Sequence, residues 1–136
     1  MPRRIIRTES APAPVAGAPY SQAVAVAAGQ LLFVSGQVPL TPGGELVPGG
    51  VAEQTRQCLA NIDAILRAAG GDMGDIVKTT VFMTDLTQFP AMNEAYGSRF
   101  GSAPPARATI GVAALPAGAS VEIEAIALLG AGTATP

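Results

Sequence analysis

Apolar residues recur along this chain in one long helical repeat and several short alternating runs. From Val51 to Ala69, the residues Val51, Cys58, Leu59, Ile62, Ile65, Leu66 and Ala69 return at steps of three and four, with Glu53, Arg56, Gln57 and Arg67 elsewhere. That spacing predicts an amphipathic helix, and Gly70-Gly71 supplies its stop by permitting a left-handed backbone. A second helix is expected over Gln88–Phe100, where Phe89, Met92, Tyr96 and Phe100 keep the same step and Asp85 or Thr87 can cap the start.

The remaining apolar runs are short and β-branched, which predicts strands. Ile5 and Ile6 mark a first edge strand that contributes to the core. Val24–Ala27 and Leu31–Ser35 are split by Ala28-Gly29-Gln30, which suits a hairpin turn. Asp75–Asp85 alternates, and Ala106–Val112 and Ser120–Leu128 follow, joined by a short turn through Pro116 and Gly118. Ala11–Ala23 holds too many prolines for a regular element and reads as an ordered loop. The order β-β-β-α-β-α-β-β predicts an α+β fold: a single mixed β-sheet with two helices packed on one face.

A chain of 136 residues suits one domain, expected over residues 1–130 with a short flexible tail at 131–136. The hydrophobic fraction of 49% and mean hydropathy of +0.37 are high. Yet no run approaches the roughly 18 apolar residues a spanning helix needs, so the excess reads as a core plus a buried subunit interface. A net charge of −2 with eight scattered cations argues against nucleic acid or an anionic membrane as partner. One cysteine, Cys58, precludes an internal disulfide and reads as a small core hydrophobe. The opening MPRRIIRTES lacks an export signal's apolar stretch, so a cytoplasmic setting is the expectation.

Absence narrows the chemistry. Without histidine, a Ser-His-Asp or Cys-His nucleophile is excluded, and no carboxylate cluster shows metal-ligand spacing. Attention falls on Arg107 in PPARATIGV, and on Glu122 and Glu124 in VEIEAIA. Alternation puts Arg107, Thr109 and Gly111 on one face of their strand. On spacing alone, an arginine and a glutamate on a hairpin neighbour read first as a structural ion pair; an anion clamp is the alternative.

Read together, PYSQA, LLFVSGQVP, QCLANIDAILRAAGG, DIVKTTVFMTDL, MNEAYGSRF, PPARATIGVAALP and VEIEAIA resemble the Rid (YjgF/UK-type) family over about Ile5 to Leu128. The resemblance implies a chorismate-mutase-like subunit assembled as a trimer with ligand clefts between subunits. It implies cofactor-independent hydrolysis of small 2-imino or enamine acids, such as 2-iminobutanoate or 2-aminoacrylate, to 2-keto acids and ammonia. The family's carboxylate-binding arginine falls on Arg107, its water-positioning glutamate on Glu122, and its cleft residues on Tyr20, Ser35, Asn93 and Thr109. Many members carry cysteine where this chain has Thr109, and Ala18 intervenes where relatives commonly read Gly-Pro-Tyr. A 2-keto-acid-binding regulatory module is the alternative, and RNA cleavage, proposed for some members, fits the acidic composition poorly.

Overall fold

In the computed structural model, which describes residues 3–27 and 29–130, the longer helix α1 (Val51–Ala68) starts at Gly50, whose N–H donates to Glu53 Oε1 at 3.0 Å. It stops as expected from Gly70-Gly71: Gly70 has φ +86°, and the Gly71 N–H returns to the Leu66 carbonyl at 2.8 Å. The shorter helix α2 (Phe89–Gly97) has Pro90 in its first turn and follows a 3-10 turn in which Asp85 Oδ1 accepts from the Thr87 N–H at 3.0 Å. It ends three residues earlier than the apolar step suggests. Phe100 still packs on Tyr96, with ring centroids 4.7 Å apart.

The described residues form six strands: β1 (Arg3–Ile6), β2 (Ala23–Val26), β3 (Gln30–Gln37), β4 (Ile76–Met83), β5 (Ala106–Gly111) and β6 (Val121–Leu129). Four of them make a mixed sheet in the order β3-β6-β4-β5, with β4 and β5 parallel and the other pairs antiparallel. Helix α2 is the crossover that parallel neighbours require. Both helices cover one face, where Val34, Ile76, Val81, Met83, Val121, Ile123, Ala125 and Ala127 meet Cys58, Leu59, Ile62, Leu66, Met92 and Tyr96. Each large side chain fully buried there contributes about 1.5–3 kcal/mol of transfer free energy. Among the described residues no helix is long and apolar enough to cross a membrane.

Three expectations about pairing are corrected. First, among the described residues β1 and β2 pair only with each other, so the sheet is not single. A lone bridge, Ser21 to Ala106, links this ribbon to the β5 edge; Pro104 and Pro105 lack the N–H groups that would extend it. Ile5 and Ile6 are accordingly half-buried and lie outside the core cluster. Second, β2 and β3 do not form a hairpin. Gly29 is pressed so closely on Leu128 of β6 that a Cβ there would stand 2.8 Å from its Cδ1, and the chain passes from one sheet into the other. Third, β5 and β6 are not neighbours, because β4 lies between them. Their connection holds a 3-10 turn at Pro116–Gly118 rather than a tight hairpin turn, and both edges of β6 are occupied by β3 and β4. The tail expected at 131–136 lies outside the described residues.

Candidate active site

Arg107 projects from β5 toward the helices, because its register partner Thr79 also faces them. Its guanidinium carbon lies 4.9 Å from the Tyr96 ring centroid, 5.3 Å from that of Tyr20 and 5.6 Å from that of Phe89. Its Nη1 also lies 4.0 Å from the Met92 sulfur. Among the described residues no carboxylate lies within ion-pair distance of it. Burial pulls the guanidinium below its ordinary pKa, and Tyr96 and Tyr20 oppose this, but an arginine stays cationic. Each ring offers a cation about 0.5–2 kcal/mol, and a desolvated fork without a carboxylate is a receptor for a planar anion.

A cavity of about 210 Å³ opens beside it, lined by Val15, Tyr20, Phe89, Arg107 and Thr109. The Thr109 hydroxyl is buried there without a partner. Asn93 Oδ1 is also buried and unpartnered, in an adjoining depression that shares Phe89 as its wall. Orphaned buried polar atoms are costly, about 1–3 kcal/mol each, unless a ligand satisfies them. Tyr20 is held by the Val15 N–H, which donates to its hydroxyl at 2.9 Å, and its own N–H donates to the buried Ala18. With Ala18 in place, Tyr20 still reaches Arg107.

Under Arg107, the fully buried Tyr96 shares a 2.7 Å hydrogen bond with Thr79 Oγ1. Burial pushes the Tyr96 phenol up to about 12, so it stays neutral. Either Thr79→Val or Tyr96→Phe is expected to cost about 1–3 kcal/mol by orphaning the other hydroxyl, while the double variant recovers most of it. Denaturant titration of the three proteins checks this, and additive losses would contradict it.

Glu122 and Ser35 are elsewhere. Glu122 pairs with Phe82, between the core-facing Val121 and Ile123, so it points away from the helices. Ser35 is exposed on the same outer face of β3, near Phe33 and Leu31, which are 70% and 52% exposed. Within one chain, therefore, Arg107 and Glu122 occupy opposite faces of the sheet on strands that do not touch. This overturns the structural ion pair. It also leaves Tyr20, Arg107 and Thr109 together, Asn93 beside them, and Ser35 and Glu122 across the sheet.

Comparison with known proteins places the chain in a family. The profile of the family described as Endoribonuclease L-PSP matches residues 8–129. A mouse protein named 2-iminobutanoate/2-iminopropanoate deaminase is 50% identical over 129 residues, covering 94% of this chain and 93% of the mouse protein. A crystal structure of a Rid-family protein from Yersinia pestis superposes with a TM-score of 0.86 at 35% identity, covering 95% of this chain and all of that one. This chain belongs to the Rid family. A RutC family protein from Pyrococcus horikoshii is 48% identical, covering 92% of this chain and 97% of its own, so names within the similarity range differ.

Two features of this Rid protein were hidden in the sequence. Phe89 and Tyr96 keep a helical step and read as core, yet their faces also form the box around Arg107; only the β5 register shows that. Val15 sits in a proline-rich loop with no periodic signal. Cys58, by contrast, is what its position implies: fully buried, with burial foremost and the Glu122 charge next pushing its thiol up to about 12. A thiol reagent at neutral pH is expected to leave it unmodified until the protein unfolds; stoichiometric labelling of native protein within minutes would show it exposed. Among the described residues no group of three or more His, Cys, Asp or Glu is placed to hold a metal ion.

Proposed function

We propose that this Rid protein hydrolyses small 2-imino acids, such as 2-iminobutanoate or the imine form of 2-aminoacrylate, to 2-keto acids and ammonia, in the cytoplasm. The observation that carries the reading is Arg107: a half-buried guanidinium with no carboxylate partner, framed by three rings at the wall of a small cavity. Two parallel N–H···O bonds to a carboxylate fix the plane of the attached imine, which a point charge does not. Thr109 and Asn93 supply unpartnered polar atoms for the rest of the ligand, and Tyr20 closes one side.

The imine carbon is already electrophilic, so the reaction needs a positioned water more than an activated nucleophile. Glu122 orients that water and takes its proton as the C–O bond forms. That proton passes to the imine nitrogen to give the tetrahedral carbinolamine; as it collapses, its hydroxyl proton is relayed to the amino group, the C–N bond breaks, the C=O forms and ammonia leaves. Because Glu122 and Ser35 lie on the opposite sheet face from Arg107, they serve an Arg107 of another copy. The exposed Phe33, Leu31 and Ile110 on that outer face supply apolar surface for such an interface, and a closed homotrimer satisfies every site at once.

The purified protein, without added metal or cofactor, is expected to accelerate ammonia release from 2-iminobutanoate generated in situ by a dehydratase. No acceleration over the spontaneous background in a folded sample that still binds 2-ketobutyrate would leave a binding module instead.

A further inference from the structure

We infer that Gly36 is a positioning residue for the Glu122 carboxylate: the space its missing side chain leaves is the space that carboxylate occupies. The activity arm of the test rests on the deaminase reading; the structural arm does not.

The register of β3 on β6 slips between Val34, opposite Ala125, and Gln37, opposite Ile123. Ser35 and Gly36 therefore share the span across from Glu124, a bulge of the kind that re-aims side chains beside sites. A Cβ on Gly36 would overlap Oε2 of Glu122 and stand 2.9 Å from its Cδ and 3.3 Å from its Cγ. All three nearest atoms belong to this one side chain. Backbone freedom does not explain the glycine, since Gly36 is not among those with positive φ. What the position demands is room.

The obstructing group decides how a substitution there is tolerated. Gly29 meets a leucine of the sheet, and Gly71 meets both Asp75 and Leu129, so a methyl at either position presses on packed apolar atoms. At Gly36 the three atoms nearest the methyl all belong to one flexible side chain, its terminal oxygen closest. The carboxylate swings aside and the strands keep their places. The substitution thus moves a reactive group at little structural expense, the reverse of what a purely structural glycine does.

The test compares wild type, Gly36→Ala, Glu122→Ala and the double variant for thermal midpoint, kcat and KM, with a crystal structure of Gly36→Ala. The single glycine variant is expected to lose roughly tenfold to hundredfold in kcat, the scale of an ångström-sized misplacement, with KM within about twofold. In the Glu122→Ala background the same methyl is expected to change neither midpoint nor residual turnover. The crystal structure is expected to show Glu122 displaced over an unmoved β3 and β6. Wild-type turnover in Gly36→Ala, an equal fall in midpoint with and without the Glu122 side chain, or an undisplaced carboxylate each overturns the inference. If the wild type itself releases no ammonia, the deaminase reading has failed and the crystal structure alone decides the clearance.

Discussion

Arg107→Ala is expected to lose about 10²–10⁴ in kcat/KM for 2-iminobutanoate, and Arg107→Lys about ten- to a hundredfold, with neither losing thermal stability. The range follows from two hydrogen bonds to a charged group at about 1.5–3 kcal/mol each, one of which a lysine retains. The second half of the expectation rests on what surrounds the guanidinium. Truncating one member of a buried ion pair strands the other charge and costs several kcal/mol. Arg107 has no such partner among the described residues, and its removal also relieves its own desolvation. The rings of Tyr20, Phe89 and Tyr96 lose a cation at 4.9–5.6 Å, a smaller term of opposite sign. Lysine is not a conservative change here, because an ammonium neither matches the planar fork nor stacks in the box. Activity and thermal midpoint measured on the same samples separate the outcomes. Near-normal kcat/KM in Arg107→Ala would end the clamp. A fallen midpoint with normal turnover would return Arg107 to a structural role.

The same contrast shows how much the sequence carried. Local signals were strong wherever one element met one core face. The apolar step from Val51 gave α1 to within one residue of its end, and the β-branched run after Asp75 gave β4. The faces of Arg107 and Thr109 followed from alternation alone. Pairing was not legible in the same way, because a period of two says which residues share a face and nothing about which strand lies alongside. Pro116 and Gly118 suggested a hairpin between β5 and β6, whereas β6 inserts between β3 and β4 and turns Glu122 to the far face. The family resemblance named Arg107 and Glu122 together, and no property of a single strand could reveal that one chain keeps them apart. The glycine in LLFVSGQVP is a further case. Its role depends on a carboxylate 86 positions on in the sequence, which only the register brings near.

Glu122→Gln is expected to lower kcat by about 10²–10⁴ with a much smaller change in KM, since the amide can still hold water but is a poor base. Its more decisive use is in mixture. Arg107→Ala and Glu122→Gln proteins, each nearly inactive, are expected to regain about a quarter of wild-type activity when unfolded together in equal amounts and refolded. Random assortment gives half of the sites an intact Arg107 and, independently, half an intact Glu122 contributed by another copy. The expectation follows from geometry: Arg107 faces the helices with Thr79, while Glu122 faces outward with Phe82. A site confined to one chain would give no recovery, since every chain in the mixture lacks one of the two groups. Simple mixing without refolding is expected to recover less, to the degree that subunits exchange slowly. Light scattering on the same refolded samples should give a trimer mass. Absence of recovery in a refolded trimer would show that the site is not shared between copies, and the water-positioning role would then pass from Glu122 to a group on the Arg107 face.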